Sequence, residues 1–401
     1  MIHSFDQIIS REGTQSLKYD GKLETFGTNN VMPMWVADMD FATPTAVTQA
    51  LQERASHPIF GYSIEPNSLY QALIDWLLEK HHWQIKREWI VLTPGVVPSL
   101  NLVLAALTAE NEGVIVQPPV YFPFFSAVKN QKRRLIENPL ILEDDGLGNL
   151  NYQMDFLQLE SCAKDAKLLM LCSPHNPVGR VWQKSELLTL LAIAKKHDLI
   201  ILADEIHADL VYRDAKHYAL SQLAFEADQS PSLLFGQHKI ITAVSPSKTF
   251  NIPGLGLSAL IVPNDRYRKA IQLHLSNLGV SGANPFSLIA FEVAYRKGGD
   301  WLKALMAYLQ KTCDEAISFI RAHLPKINVV RPQGTYLLWL DCRKLILGDE
   351  ALNLFFVQEA QLGLSSGAMF GRGGEGFMRM NIGTPRANVM AALMRLKSSL
   401  S

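Results

Sequence analysis

Seven short apolar runs, several with helical patterns between them, occupy the middle of the chain. They span residues 89–92, 113–117, 135–139, 168–172, 199–203, 239–244 and 257–262. Apolar residues at helical spacing lie between some of them, for example over residues 99–107 and 184–197. Apolar strands joined by helices are typical of a mainly parallel sheet that is covered on both faces. We therefore predict a seven-stranded, mainly parallel sheet between helices.

The flanking segments have other patterns. Thr43-Pro44 is typical of a helix start, so we predict helices over residues 44–56 and 67–81, whereas residues 1–45 are irregular and rich in turn formers. After the sheet we predict a long helical region, short strands and a last helix, at residues 286–324, 327–330, 334–341, 377–382 and 385–399. The predicted fold is α/β. Residues 46–285 form a large domain, and residues 1–45 and 286–401 form a smaller α+β domain.

Composition narrows the class of protein. The 401 residues are 48% hydrophobic and 19% charged, an ordinary globular balance. The 38 Lys and Arg equal the 38 Asp and Glu, so no net charge attracts nucleic acid or an anionic membrane. We find neither a signal-peptide pattern nor an apolar run near the ~20 residues of a membrane span. The cysteines Cys162, Cys172, Cys313 and Cys342 lack metal-finger spacing, so we expect reduced thiols, no metal and a cytoplasmic location.

Turn formers and polar residues collect where the predicted strands end, which is where ligands bind in parallel sheets. Residues 93–99 combine Gly95 with a helix start, whose free N–H groups suit an anion such as phosphate. In residues 173–179, prolines flank the turn that holds Asn176, whose amide can donate to a phenolate-like oxygen. The Asn176–Pro177 bond is a candidate for the cis form. Each turn alone is also compatible with an ordinary connection that binds nothing.

The next two candidate residues are Asp204, at the end of one predicted strand, and Lys248, in the turn that follows a later one. A carboxylate at the end of a buried strand is costly unless it is paired. Its partner is either an arginine elsewhere or a protonated pyridine nitrogen. Lys248 lies among small hydroxyl residues in a Pro/Gly-rich turn, where burial favours the neutral amine that forms Schiff bases with aldehydes. Most lysines after a strand are simply solvated, so this residue is weak evidence alone.

One cofactor accounts for all four strand ends. Pyridoxal 5'-phosphate (PLP) would place its phosphate on the Gly95 turn, its ring oxygen at Asn176, its ring nitrogen at Asp204 and its aldehyde carbon at Lys248. His207 follows Asp204 closely and can reach the same ligand, although such a histidine is more often an ordinary polar residue. The four strand ends together predict a PLP enzyme with Lys248 as its catalytic residue.

Three motifs, Pro-x-Asn-Pro-x-Gly, Asp-Glu-x-His and Ser-Pro-Ser-Lys, occur in the order and spacing of the fold-type I PLP enzymes, the aspartate-aminotransferase superfamily. The resemblance covers nearly the whole chain. Within the superfamily the sequence most resembles the MalY/PatB-type cystathionine β-lyases, which are cysteine C–S lyases. The segments that carry this closer resemblance are residues 35–41, 60–62, 93–97, 204–211 and 245–254.

The resemblance implies how the cofactor is held. Backbone N–H groups at Gly95, Val96 and Val97 would bind the phosphate, with Ser245 and Ser247 as hydroxyl candidates. Tyr121 matches the aromatic residue that stacks on the pyridine ring. Tyr62 matches the residue that reaches the phosphate of the neighbouring subunit's cofactor, which implies a homodimer with shared active sites.

The resemblance also implies how the substrate is held. Arg379 matches the arginine that binds the substrate α-carboxylate, since a guanidinium fork suits a bidentate contact. Arg386 lies close by in the sequence, and we favour it less. Trp35, Asp38, Tyr336 and the loop near residue 367 are expected to shape the pocket for the substrate side chain.

Two positions differ from those of common aminotransferases. Where those enzymes place a tyrosine after the ring-nitrogen aspartate, this chain has His207, and where many carry a phosphate-binding arginine after the lysine, it has Gly256. The phosphate would therefore depend more on N–H groups, hydroxyls and Tyr62. Both differences agree with the lyase branch.

The implied reaction is α,β-elimination, with Lys248 as the base that removes the Cα proton. L-Cystathionine or a related cysteine S-conjugate would give a thiol (homocysteine from cystathionine), pyruvate and ammonia, a step of methionine biosynthesis. Two alternatives remain at this point. A class I/II aminotransferase uses the same Lys, Asp, Asn and Arg, and a regulatory PLP-binding protein would act by contacting a transcription factor.

Overall fold

The structure, a computed structural model, describes residues 4–146, 148–228, 239–279 and 283–400. Residues 1–3, part of the segment in which we expect no signal peptide, lie outside these ranges. The strands are β1 (Met32–Pro33), β2 (Ile90–Thr93), β3 (Gly113–Val116), β4 (Arg134–Glu137), β5 (Ile141–Asp144), β6 (Leu150–Gln153), β7 (Leu168–Cys172), β8 (Ile200–Asp204), β9 (Ile240–Val244), β10 (Ser258–Ile261), β11 (Asn328–Val330), β12 (Leu337–Asp341), β13 (Leu362–Gly363), β14 (Ser365–Ser366) and β15 (Phe377–Asn381).

Helices cover both faces of the central sheet and build much of the C-terminal region. They are α1 (Leu17–Asp20), α2 (Lys22–Phe26), α3 (Thr45–Ser56), α4 (Asn67–His81), α5 (Val96–Leu107), α6 (Pro123–Asn130), α7 (Phe156–Ala163), α8 (Lys184–Lys196), α9 (Leu220–Asp228), α10 (Pro246–Thr249), α11 (Asp265–Asn277), α12 (Pro285–Lys297), α13 (Gly299–His323), α14 (Asp349–Leu354) and α15 (Arg386–Ser399). Short 3-10 segments lie at Arg87–Trp89, Pro253–Leu255, Arg343–Leu345 and Gly367–Phe370, and a π-helical turn lies at Phe355–Glu359.

The central sheet has seven strands in the order β2-β10-β9-β8-β7-β3-β4. All neighbours are parallel except β10, which is antiparallel to β2 and to β9. The seven predicted strands are these seven, and their ends differ by two residues at most. The prediction of a mainly parallel α/β sheet is confirmed. Because β7, β8 and β9 are parallel neighbours, their carboxyl ends meet at one edge of the sheet.

The inner strands β7 and β8 are almost entirely apolar because both faces of the sheet are covered there. Leu169, Leu171 and Ile201 belong to one core cluster. The residues that alternate with them, such as Met170 and Leu202, belong to the cluster on the opposite face. A strand buried on both sides therefore reads as a continuous apolar run rather than as an alternation.

The C-terminal region has its own antiparallel sheet, in the order β11-β12-β15-β14. Helix α13 packs against α15, whereas α12 packs against α3 and α4. The predicted long helical region divides into α12 and α13 at Gly298, where a Cβ atom would lie 2.2 Å from Phe250 Cε1. Only glycine fits such a close approach, so packing on Phe250 sets the residue type at the division.

The N-terminal segment is more regular than predicted. It contains the short helices α1 and α2, and β1 pairs in parallel with β13 through Met32 and Leu362. Elements this short carry no readable periodicity, which explains why the sequence shows only turn formers there. Within the described ranges, no helix is long and apolar enough to cross a membrane, and no group of His, Cys, Asp or Glu is placed to hold a metal ion.

Candidate active site

A cavity of about 230 Å³ opens at the carboxyl ends of β7, β8 and β9. It contains ten of the residues predicted to contact a cofactor or substrate. The lining residues are Ala37, Pro94, Gly95, Val96, Val97, Pro98, Tyr121, Cys172, Asn176, Asp204, Ile206, His207, Ser245, Ser247, Lys248, Pro253, Gly256 and Leu257.

Lys248 enters the cavity from the short helix α10, which follows β9. Ser245 caps this helix by accepting a hydrogen bond from Ser247 N at 3.2 Å. Lys248 Nζ donates to the carbonyl oxygen of Ala37 at 2.6 Å. Burial lowers the pKa of Lys248 from 10.5 to about 8, although the charge of Asp38 opposes this change. The amine is therefore much closer to its neutral, nucleophilic form than a solvated lysine.

Asp204 is the last residue of β8 and lies opposite Cys172 of β7 and Ala243 of β9. Its Oδ1 accepts a hydrogen bond from Ile206 N at 3.1 Å. Burial raises the pKa of Asp204 from 3.8 to about 7, while the Ile206 N–H and the charge of Lys248 act in the opposite direction. A cation brought next to this carboxyl group would favour its ionised form.

Asn176 lies in the turn after β7, in which the Ser173–Pro174 and Asn176–Pro177 peptide bonds are cis. Its Oδ1 accepts a hydrogen bond from Arg379 Nη1 at 3.0 Å. Because the Arg379 guanidinium donates to Oδ1, Nδ2 is the atom of the Asn176 side chain that remains available for a further hydrogen bond. An amide that donates into the cavity is what the sequence predicts for a ring oxygen.

The Gly95 turn joins β2 to helix α5 at the cavity wall. Gly95 is the N-cap of α5, and the N–H groups of Val96 and Val97 belong to its first turn, which has no intrahelical acceptors for them. Such a helix start binds anions well. Of the two predicted hydroxyls, that of Ser245 donates to Leu257 O at 2.9 Å. Ser247 is therefore the better placed hydroxyl donor for an anion here.

Tyr121 and His207 complete the cavity. Burial raises the pKa of the Tyr121 hydroxyl and keeps that group protonated. Burial and the charges of Lys248 and Arg379 lower the pKa of His207 to about 3, so its ring is neutral. Within the described residues, His207 Nδ1 has no hydrogen-bond partner.

Arg379 lies behind Asn176 on β15 and is 3% exposed. Besides Asn176, it donates from Nη2 to Trp35 O at 2.8 Å and to Ser365 Oγ at 3.2 Å. These partners are neutral, and burial lowers the pKa of Arg379 to about 10. A buried cation with neutral partners is suited to an anionic ligand. Arg386 instead pairs with Glu315 at 3.4 Å in the C-terminal region.

The residues predicted to shape the pocket for the substrate side chain lie behind the cavity wall. Tyr336 OH donates to Ala37 O at 2.9 Å, the same carbonyl that Lys248 contacts. Trp35 contributes its carbonyl to Arg379, while its Nε1 donates to Lys18 O at 3.1 Å. Asp38 pairs with Arg11 at 2.7 Å. These three residues lie around the cavity and are not part of its lining.

Tyr62 does not line the cavity. Its side chain is fully exposed, and it lies in a loop with exposed Phe60 and Ile64. This loop lines a neighbouring depression together with Pro94 and Gly256, so it lies next to the Gly95 turn. Tyr62 therefore borders the predicted phosphate site without entering it.

Ala37 and Cys172 are site residues that sequence reasoning missed. Ala37 contributes only its backbone carbonyl, which no residue type signals. Cys172 Sγ accepts a hydrogen bond from Asn176 N at 3.4 Å, and it closes β7 directly opposite Asp204. The sequence feature that could have identified Cys172 is its position at the end of a predicted strand, one residue before the turn that holds Asn176.

A parallel sheet with a partly buried lysine and a buried aspartate and asparagine at one edge defines a class of enzyme. Residues 29–396 match the family model "Aminotransferase class I and II", and the chain belongs to this family. It is 40% identical to cystathionine β-lyase PatB of Bacillus subtilis, over 99% of this chain and 100% of that protein. It is 32% identical to protein MalY of Escherichia coli, over 97% of this chain and 96% of that protein.

Two solved structures that contain PLP are also similar to this chain. Cystalysin from Treponema denticola, whose crystal structure contains PLP, has a TM-score of 0.91 and 35% identity and covers 100% of this chain and 99% of its own. The PLP-bound C–S lyase from Staphylococcus hominis has a TM-score of 0.89 and 30% identity. The match covers 100% of this chain and 98% of the lyase chain. The resemblance identified from the sequence motifs is confirmed.

Proposed function

We propose that this protein is a PLP-dependent C–S β-lyase that cleaves L-cystathionine or related cysteine S-conjugates to a thiol, pyruvate and ammonia. The observation that carries the proposal is the joint presence, around one cavity, of Lys248, Asp204, Asn176 and Arg379. The full-length similarity to cystathionine β-lyase PatB supports the reaction class. With cystathionine the thiol is homocysteine, which would place the enzyme in methionine biosynthesis.

The residues present fit PLP in charge and in hydrogen bonding. Asp204 is a buried carboxyl group whose pKa is raised to about 7, and a protonated ring nitrogen would be its counterion. Asn176 Nδ2 would donate to the ring oxygen, and Tyr121 would lie against the ring. The N–H groups at the start of α5 and the Ser247 hydroxyl would bind the phosphate. When bound, PLP supplies the electron sink for the carbanion chemistry.

The chain's own groups would position the substrate and move its proton. The Arg379 fork would bind the α-carboxylate and fix Cα near Lys248. Lys248 Nζ, with a pKa of about 8, is poised to accept the Cα proton near neutral pH, because efficient general bases have a pKa close to the working pH. To do so, it must leave the carbonyl of Ala37, which Tyr336 still satisfies.

Gly256 supports the lyase branch over a common aminotransferase. The residue has φ +46°, in the left-handed region, and a Cβ atom there would lie 3.3 Å from Pro94 O. An arginine at this position would be strained. The phosphate site is thus built without the arginine that many aminotransferases carry.

We also propose a cytoplasmic homodimer with shared active sites. Exposed Phe60, Tyr62 and Ile64 form an apolar surface beside the depression at Pro94 and Gly256, and a second subunit would cover it. The four free cysteines suit a reducing compartment. The pairing of β1 with β13 supports joining residues 1–45 to residues 286–401 in a small domain, beside a large domain of residues 46–285.

The first experiment is incubation of the purified holoprotein with L-cystathionine, following pyruvate and free thiol. Formation of both without an added keto acid supports the lyase. Amino transfer that requires a keto acid and releases no thiol would overturn it. Lys248→Ala should abolish both turnover and the Schiff-base absorbance of the cofactor. Lys239→Ala, a matched change at a partly exposed lysine that pairs with Asp198, should keep both.

The dimer is tested by complementation between subunits. Lys248→Ala and Tyr62→Ala proteins are each expected to have little activity, because each lacks one contribution to every site. Refolding them together should restore activity, since one of the two sites in a mixed dimer is intact. A monomeric mass in solution, or no recovery on mixing, would contradict shared sites.

A further inference from the structure

A buried hydrogen-bonded cluster centred on Asp209 lies outside the cavity. Asp209 Oδ1 accepts from His81 Nε2 at 2.8 Å and from Trp76 Nε1 at 3.1 Å. Its Oδ2 accepts from Thr249 Oγ1 at 2.8 Å. Each carboxylate oxygen thus has a fixed partner, and Thr249 is the residue directly after Lys248.

The cluster behaves as an ion pair. The side chains of His81 and Asp209 are each 8% exposed. Burial would lower the pKa of His81, yet the hydrogen bond and charge of Asp209 raise it. Burial would raise the pKa of Asp209, yet His81 holds it below its usual range. Glu205 and Lys80 also face His81, and the ring of His217 lies edge-on to it at 5.4 Å.

Asp209 joins three segments that carry or support site residues. It is the last residue of the turn over residues 206–209, which follows β8 and presents His207 to the cavity. Thr249 belongs to α10, which has only four residues. Trp76 and His81 belong to the much longer helix α4. A helix of one turn has little stability of its own, so contacts from outside must fix the position of its lysine.

We propose that Asp209, held by His81, is a positioning residue that fixes Lys248 through the Thr249 hydroxyl. This inference rests on the proposed function, in which Lys248 is the reacting amine. Neither Asp209 nor Thr249 lines the cavity, so neither touches substrate or cofactor. Loss of the link would displace the lysine amine relative to the substrate Cα, and proton transfer is sensitive to small displacements.

The test replaces Thr249 in the holoenzyme. Thr249→Val keeps the shape and removes the hydroxyl, whereas Thr249→Ser keeps the hydroxyl. For Thr249→Val we expect kcat to fall about tenfold, the rate equivalent of one hydrogen bond to a charged group, with KM roughly unchanged. The pH midpoint of the cofactor absorbance should shift as well, and Thr249→Ser should restore both quantities.

Thr312→Val is the matched control. Thr312 is also fully buried and bonded through its hydroxyl, to Tyr308 O at 2.9 Å, but it lies in α13. It should lower the melting temperature and leave kcat and the absorbance midpoint unchanged. An unchanged kcat and midpoint in Thr249→Val would overturn the proposal, as would an equal loss in Thr312→Val.

Asp209→Asn gives a second measurement that does not depend on Thr249. It removes the charge that orders His81, and we expect the absorbance midpoint and kcat to change in the same direction as in Thr249→Val. A folded Asp209→Asn protein with both quantities unchanged would overturn the proposal. If the wild-type protein forms no pyruvate, the proposed lyase function fails, and the absorbance midpoints still decide whether Asp209 positions Lys248.

Discussion

Replacing Lys248 with methionine should stabilise the cofactor-free protein at neutral pH. Burial lowers the pKa of Lys248 from 10.5 to about 8, against the opposing charge of Asp38. The unfolded chain therefore binds this proton more tightly than the folded chain, and protonation of Lys248 destabilises the fold. The penalty is fully present below about pH 8, shrinks as the pH rises from 8 to 10.5, and is absent above 10.5.

The magnitude follows from the pKa shift. A change from 10.5 to about 8 corresponds to about 3 kcal/mol of unfolding free energy. Methionine also loses the hydrogen bond from Nζ to Ala37 O, which costs about 1 kcal/mol at every pH. Because Tyr336 also donates to that carbonyl, the acceptor stays satisfied. The net gain at pH 7 is about 2 kcal/mol, and the part that depends on pH is about 3 kcal/mol.

Thermal unfolding of both cofactor-free proteins between pH 7 and 10.5 measures this difference. For 401 residues the unfolding entropy is about 0.8 kcal/mol/K, so the Tm advantage of Lys248→Met should fall by about 4 °C across that range. Other titrating groups occur in both proteins and cancel in the difference. A difference that stays constant over this pH range for Lys248→Met would refute the argument from burial.

Three further substitutions test other parts of the site. Arg379→Lys should raise KM for the substrate about 10- to 100-fold in steady-state kinetics, because one ammonium cannot replace a bidentate fork, and an unchanged KM would exclude Arg379 as the carboxylate anchor. Asp204→Asn should lower kcat about 100-fold or more, since the ring nitrogen loses its buried counterion, and near-normal turnover would contradict that pairing. Gly256→Arg should lower stability in denaturant unfolding by about 1–2 kcal/mol, because its backbone is left-handed at φ +46°, and tighter cofactor binding without this cost would show that an arginine is accommodated.

The parts of the molecule that could be predicted are those determined by residues that are neighbours in the sequence. The strands β7, β8 and β9 are mostly apolar runs, so the strands and the residues at their ends could be predicted from the pattern. The acceptor for Lys248 could not be predicted, since it is the backbone carbonyl of Ala37, 211 positions away. The need for glycine at the break, Gly298, comes from the packing of Phe250. Both depend on contacts between distant segments, which no local periodicity encodes.

Within the part of the chain that the structure describes, three ionisable groups at or beside the cavity, Asp204, Lys248 and Arg379, form no salt bridge. Asp204 has a raised pKa, and Lys248 and Arg379 have lowered ones, each chiefly through burial. A protein core normally avoids such groups. Each is complemented by a different part of the proposed ligands: the ring nitrogen, the aldehyde and the substrate carboxylate. Since two of these belong to the cofactor and one to the substrate, PLP should contribute more to the stability of the fold than a substrate analogue does.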